Sequence, residues 1–535
     1  MNNATAILSM LHEAPDRNSA TRLFRGDPVL RWTLKRLARA KRVASTAVLC
    51  WEDQLEHVAS EAGKAFVLAK GPRMPLPEVD AVTAARRWSD GWRGGLLGTC
   101  DFDLGFYGPW FAELAAKVGS DAILLVDPSA ALVDPQVLDN LVSHAQSHPD
   151  IEMCFVPAAP GLGGALIRGG LLGRLAAAKT HTGRFLHYMP DQISREPLAG
   201  DMCVAVPTPV ARSTQRFKLD SDRQVARLSA AMVSLNGHLI TSSAEELVHR
   251  AHSWEPTDAL PREVVLELNT QRATRPIWWA GAYHTISRPT LTLEMARVLF
   301  ADLAALDDTR LTLAGVGDPL LVEHVFDVID AARNEGRLSV HVETDFVGVS
   351  PEAIARLARS AADVVSVHLP ALNARTYEQI MGVAGYERVL ESINGFLIAR
   401  AGRKVPILAP TFIKCRQNMA EMEGWYDHWL RALGCAVVRG PSDLAGQISD
   451  VSVADMAPPQ RKPCSRLASR VTVLSDGQIV SCEEDVLARQ VLGAIGRDKL
   501  QDVWQEQFAA LSADHRQRHW DKHPLCAHCR EWHRF

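Results

Sequence analysis

Apolar residues along this chain fall into two alternating patterns. Short runs of consecutive apolar residues read as buried strands. Between them, apolar positions recur every three or four residues, the spacing of one helix face. The alternation is cleanest between residue 256 and about 455. Strands are predicted there at Val264–Leu268, Leu311–Leu313, Leu338–Val342, Val364–His368, Ile407–Phe412 and Ala436–Val438. Helices are predicted between them at Leu291–Leu306, Leu320–Ala332, Pro351–Ala361, Tyr386–Ala399 and Met419–Leu433. Six strand–helix units in about 200 residues predict a parallel sheet, closed or partly closed as a TIM-type (β/α)6 barrel. Ligands of such barrels sit at the C-terminal ends of the strands.

Residues 1 to about 255 also read as α/β. Thr46–Cys50 and Asp121–Asp127 look like buried strands, Val29–Ala40 looks helical, and a further helix starts near Pro135. The strand ending at Asp127 places an acid where open α/β sheets bind ligands. From residue 456 a proline-rich stretch, Met456-Ala-Pro-Pro-Gln-Arg-Lys-Pro463, reads as a linker to a small C-terminal α+β domain. The expected domains are therefore 1–255, 256–455 and 456–535.

The C-terminal domain carries the strongest chemical signal. Cys464 is followed after 17 residues by Cys482, and after 43 more by the pair Cys526-Ala-His-Cys529. A C-x-x-C turn presents two sulfurs to one site, and two outlying cysteines complete a four-thiolate shell. Between the first two, Val-Thr-Val-Leu-Ser-Asp476-Gly477-Gln-Ile-Val-Ser-Cys482 reads as a β-hairpin with an Asp-Gly turn, which swings Cys482 back toward Cys464. Ligand chemistry alone leaves both an iron–sulfur cluster and a zinc ion open. His523, His528 and His533 lie beside the last pair and read as surface residues, with replacement of one thiolate by a histidine left open.

Composition narrows the partners. At 47% hydrophobic and 535 residues, the chain fills the cores of several domains. A net charge of −4 implies no general attraction to nucleic acid or to a membrane surface. No apolar run is long enough to span a bilayer and no signal peptide is apparent, so a cytoplasmic protein is expected. The other six of the ten cysteines are scattered and read as free thiols. Oligomeric state is not legible.

The motifs of the last two regions resemble the radical S-adenosylmethionine (SAM) superfamily with a SPASM/twitch-type C-terminal domain. Pro463-Cys464, Ser475-Asp-Gly-Gln-Ile-Val-Ser-Cys482, Leu492-Gly493, Leu500-Gln-Asp-Val-Trp504 and Cys526-Ala-His-Cys529 follow that family's order. Full SPASM domains carry seven cysteines for two clusters. The four here resemble the reduced form, which implies one [4Fe-4S] cluster held by Cys464, Cys482, Cys526 and Cys529. In the barrel, Leu313-Ala-Gly315-Val-Gly317-Asp318-Pro319 resembles the stretch that meets the SAM amino group, and Val342-Glu343-Thr344-Asp345 and Val365-Ser366-Val367-His368 resemble the next two strand ends. The resemblance implies that Gly315, Gly317, Asp318, Glu343, Thr344, Ser366 and His368 line a cofactor site, with SAM as the candidate ligand. The chain departs from the family at one decisive place. The C-x3-C-x2-C that follows the first barrel strand is missing, and Leu266 to Trp279 contains no cysteine. Reductive SAM cleavage is therefore not expected. Arg272 and Arg275 stand in that segment and are expected to face the same cleft and favour an anionic small molecule through bidentate pairing. A loop arginine is expected to matter little for stability.

The N-terminal region resembles, more loosely, the nucleotidyltransferase-like fold of sugar cytidylyltransferases, through Gly26-Asp-Pro28-Val-Leu30-Arg31, Leu125-Val-Asp-Pro-Ser129-Ala-Ala-Leu132-Val-Asp134-Pro135 and Phe217-Lys-Leu-Asp220-Ser-Asp222. Its phosphate loop would be Leu11–Arg22, which has no glycine, and the family's metal aspartate aligns with Ser129. A degenerate domain is expected. Three functions stay open: an iron–sulfur protein in biosynthesis or modification that has lost SAM cleavage, an enzyme acting on a sugar- or nucleotide-linked substrate through the remaining cluster, and a non-enzymatic assembly partner with a structural metal.

Overall fold

A computed structural model describes residues 4–192, 196–235, 237–252, 254 and 258–534. The chain divides into two compact units, Met1–Thr257 and Asp258–Phe535. The expected boundary at 255/256 lies outside the described residues.

The first unit is built on strands β1 (Ala4–Ser9), β2 (Ser45–Cys50), β3 (Phe66–Ala69), β4 (Ala122–Leu125), β5 (Met153–Phe155) and β6 (Ala165–Arg168). They form one sheet in the order β3-β2-β1-β4-β6-β5, parallel except that β6 runs antiparallel to both of its neighbours. Every residue of β1 is buried because helices cover both faces. Ala4, Ala6 and Leu8 point into one apolar core and Ile7 into the other. This is why the strands read as continuous apolar runs rather than as alternating ones.

The second unit holds six further parallel strands, β7 (Glu263–Leu266), β8 (Arg310–Leu313), β9 (Ser339–Thr344), β10 (Val364–His368), β11 (Ile407–Ile413) and β12 (Val437–Arg439). Each pairs with the next in sequence order. Helices Leu293–Leu303, Val325–Asn334, Pro351–Leu357, Tyr386–Arg400 and Met422–Leu433 fall between them close to where the periodicity placed them. The crossover after β10 also contains a helix that the pattern did not reveal, Ala374–Met381. It is short, and its buried residues Tyr377, Ile380 and Met381 supply little more than one apolar turn.

The cysteine-bearing segment continues this sheet. Strand β13 (Arg470–Val473) pairs in parallel with β7, and β14 (Gln478–Val480) and β15 (Val491–Ala494) add antiparallel strands beyond it. Gly477 makes the β13–β14 turn with φ of +85°, a conformation that strains any residue with a Cβ. Trp504 and Phe508 pack in the same apolar core as Val264, Leu266 and Val471, and the Trp504 indole donates to the Asp258 carbonyl at 3.0 Å. Edge pairing and shared burial thus join the segment from residue 470 to 511 to the parallel strands. Among the described residues, no helix is long and apolar enough to cross a membrane.

Candidate functional site

The hairpin returns Cys482 toward Cys464, and a C-terminal helix adds Cys526 and Cys529. Cys464 precedes the short turn into β13, and Cys482 follows β14 on the return. Cys526 lies on the helix Pro524–His528 and Cys529 caps it. All four sulfur-bearing residues line a single cavity, together with Arg461, Arg466, Ser481, Glu484 and His515. Burial raises all four thiols, Cys526 to about 11 and Cys529 to about 12. The charge of Cys464 acts on both Cys526 and Cys529, and Glu483 and Glu484 push Cys482 up further. Four thiolates set this close repel one another. They are stable as thiolates only with cationic charge among them, which a metal centre supplies.

The cavity wall fits such a group in a second way. His515 Nε2, Ser481 Oγ, Arg461 Nε and Arg466 Nε are buried donors with no hydrogen-bond partner in the protein. Unpartnered buried donors are costly, about 1–3 kcal/mol each, and a sulfur-rich anionic centre offers acceptors to them. Among the described residues, no three His, Cys, Asp or Glu side chains converge to hold a single metal ion. A cluster places less demand on convergence, since each of its irons takes its own thiolate. Burial, then Arg461 and His523, hold His515 down at about 4, so its ring is neutral at pH 7.

The ends of the parallel strands gather a second polar group, and its wiring is internal. Asp318, Thr344 and Asp345 are all buried. One Asp318 oxygen caps the turn at Leu320 N–H (3.0 Å), and the other accepts the Thr344 hydroxyl (2.9 Å) and the Asp345 N–H (2.9 Å). Asp345 in turn accepts from the Thr274 hydroxyl, pairs with Arg272 at 3.0 Å and meets His368 Nδ1 at 2.9 Å. Burial favours the protonated form of Asp345, but Arg272 and His368 outweigh it and hold the carboxyl at about 2. Asp318 moves the other way, raised by burial and by the neighbouring Asp345 charge. Arg272 and Asp318, 46 positions apart, therefore share one network.

The remaining predicted residues divide. Glu343 pairs with Arg439 at 2.6 Å and lies 3.9 Å from His368 Nε2, and the cations around it depress its carboxyl against the pull of burial. Ser366 bonds His341 Nε2 at 2.8 Å, and burial lowers His341 to about 4. Arg275 stands apart. It is exposed, and its backbone N–H pairs with the Met381 carbonyl. Gly315 and Gly317 turn toward the protein itself, because a Cβ at Gly315 would strike Glu267 and one at Gly317 would overlap the side-chain and main-chain oxygens of Asn269. Gly317→Ala is expected to destabilise the second unit by about 1–3 kcal/mol, read as a lower urea midpoint at unchanged slope.

Glu267 was invisible in the sequence and is a hub. Just past the end of β7 and buried, it accepts both arms of Arg288 (2.9 and 2.8 Å), the Val316 N–H (3.0 Å) and the Ser475 N–H of the hairpin turn (3.2 Å). Asp345, Arg439 and His341 were likewise not singled out. Only the period-2 alternation of β9, which leaves His341 and Glu343 half-buried between buried neighbours, marks that face in the sequence.

In the first unit, Asp127 does not stand open at the end of β4. Its carboxylate takes the Ser129 hydroxyl and the ammonium of fully buried Lys218 (2.5 Å), which also meets Asp101 at 3.1 Å. Asp220 is paired with Arg216. The local carboxylates are thus already matched by protein cations.

A family model described as an iron–sulfur cluster-binding domain, SPASM, matches residues 464–530. That span contains all four cysteines and both hairpin strands. Over 235 residues the chain is 25% identical to an uncharacterized protein of Treponema pallidum (strain Nichols), a match covering 42% of this chain and 65% of that one. Among solved structures it is similar to BtrN in complex with AdoMet and 2-DOIA (17% identity, 51% of this chain and 94% of that one, TM-score 0.36). It is also similar to Streptococcus suis SuiB bound to precursor peptide SuiA (12%, 72% and 84%, 0.41). A third similarity is to a cytidylyltransferase from Leptospira borgpetersenii serovar Hardjo-bovis (14%, 48% and 100%, 0.33).

Proposed function

We propose that this chain is an iron–sulfur protein on a radical SAM/SPASM-type scaffold, with one [4Fe-4S] cluster held by Cys464, Cys482, Cys526 and Cys529. The observation that carries the reading is the cavity lined by all four cysteines and walled by unpartnered donors. In this reading the six parallel strands are a partial barrel, residues 456–535 form the cluster domain, and residues 1–255 form a degenerate nucleotidyltransferase-like domain. The cluster would supply one-electron transfer, while the protein residues bind it, shield it and set its surroundings. Its role lies in biosynthesis or modification of a small molecule.

The same reading excludes the chemistry typical of radical SAM enzymes. The segment after β7 has no cysteine, and in place of thiolates it delivers Arg272 and Thr274 to Asp345. Reduced, cluster-loaded protein is therefore expected to form no 5′-deoxyadenosine from SAM above a no-protein control. Steady formation that persists in Cys526→Ser protein would overturn this. The central test is iron, labile sulfide and the electronic spectrum of protein purified without oxygen. About four irons and four sulfides per chain are expected, and stoichiometric zinc with no sulfide would refute the reading.

A further inference from the structure

We propose that His515 donates a hydrogen bond from Nε2–H to a sulfur of the centre held by the four cysteines, and so sets that centre's reduction potential. The inference rests on the cluster reading above and deepens it.

His515 sits on the helix Ala509–Arg516 and is 1% exposed. Its Nδ1 accepts the backbone N–H of Cys464 at 3.4 Å. Because Nδ1 accepts this N–H, the ring proton lies on Nε2. That atom is buried, has no partner in the protein, and belongs to a residue lining the cysteine cavity. The neighbouring rings do not supply an acceptor. Trp520 presents its ring 6.4 Å away in a T-shaped arrangement, and an indole N–H only donates. His523 stacks 6.2 Å away with its Nδ1 against Gln490 and its Nε2 against Asp514. The acceptors left line the cavity, where Glu484 is engaged by Arg466 and Ser442 and Glu531 pairs with Arg534, which leaves the Ser481 hydroxyl and the four sulfurs.

The arrangement also fixes the ring. The Cys464 N–H holds one nitrogen through the backbone of a ligand residue, so the other keeps a constant bearing on the site. Hydrogen bonds to the sulfurs of a cluster are one of the protein's main controls on its potential. A donor stabilises the more electron-rich, reduced state more than the oxidised one, and so raises the potential. Arg461 and Arg466 also bring unpartnered Nε donors to this wall. Arg461 bonds the Cys526 carbonyl and stacks over Trp520, and Arg466 pairs with Glu484. They form a positive background common to every His515 variant.

The test uses the full chain, loaded with iron and sulfide without oxygen, as wild type, His515→Phe and His515→Gln. Phenylalanine fills the site without a donor, and glutamine restores an N–H. Iron and sulfide content, the midpoint potential by titration monitored with electron paramagnetic resonance, and pulsed resonance of 15N-histidine-labelled protein are measured. The expected result is equal iron and sulfide in all three. The His515→Phe potential should be more negative than wild type, with a return toward wild type in His515→Gln. A weak 15N coupling to the reduced cluster should vanish in both variants. An unchanged potential in fully loaded His515→Phe overturns the inference and leaves the cluster reading standing. A strong coupling, the mark of direct ligation, also overturns it. Zinc without sulfide in wild type overturns both. If His515→Phe fails to load, the wild-type spectrum decides alone, and absence of a histidine coupling overturns the inference.

Discussion

Cys526→Ser/Cys529→Ser protein purified without oxygen is expected to be colourless, to carry only trace labile sulfide, and to lose order at its C-terminal end while its parallel strands persist. The loss of colour follows from ligand count, since two of the four thiolates lining the cavity disappear. The pattern of disorder follows from where the burial lies. The apolar core shared with the parallel strands reaches through Trp504 and Phe508 to Leu511. Leu525 and Trp532 are buried but lie against the cysteine cavity, outside that core. On the proposed reading the last 20 or so residues depend on bonds to the centre, and ligand bonds in such small modules act directly as folding free energy. Hydrogen exchange read by mass spectrometry checks this: protection should fall sharply beyond residue 515 and little in β7 to β12. Retained colour, or protection lost equally across the second unit, would count against it.

Arg272→Ala is expected to destabilise the second unit by about 3–5 kcal/mol, the cost of stripping one partner from a buried ion pair. At this size of unit that lowers its melting temperature by roughly 6 °C or more. The small cost expected for a loop arginine does not apply, because the Arg272 side chain is only 7% exposed and paired with Asp345, which is 1% exposed. The pH dependence gives the mechanism away. In the parent chain Asp345 is held at about 2, below the usual carboxylate range, so its contribution is present above about pH 4 and is lost only as pH falls through about 2. Without the guanidinium, Asp345 and Asp318 are adjacent buried carboxylates with no arginine between them, and each raises the other. One then takes up a proton more readily, and acid relieves the repulsion. The stability gap between variant and parent should therefore be smaller at pH 5 than at pH 8. Urea unfolding at the two pH values measures it. A gap below about 1 kcal/mol, or one that does not change with pH, would show that the pair contributes little.

Local pattern carried much of this protein. The parallel strands were legible because both faces are covered, which leaves uninterrupted apolar runs such as Val364-Val365 in β10 and Ile407-Leu408-Ala409 in β11. The helix Ala374–Met381 was missed because two turns give too little period to detect. The cysteine site was legible for a different reason. Each pair of its cysteines is set by a local device, the Asp-Gly turn for Cys464 and Cys482 and the C-x-x-C for Cys526 and Cys529, and a set of thiols so spaced has few uses besides holding metal.

The charge balance of the strand-end group was not legible, and only the tertiary structure decided it. Arg272 read as a cation available to an anion, but it is matched by Asp345, 73 positions on. Asp318 read as a partner for an ammonium, but its oxygens are engaged by Leu320, Thr344 and Asp345. Asp127 read as an open strand-end acid, but Lys218, 91 positions away, lies against it. A side chain's free charge depends on what is packed against it, and those partners come from other strands whose register a sequence does not display. The sequence by itself determined most of the elements, though not the helix Ala374–Met381, and pointed to the four cysteines that line one cavity. The fold decided which charges are left over for a ligand.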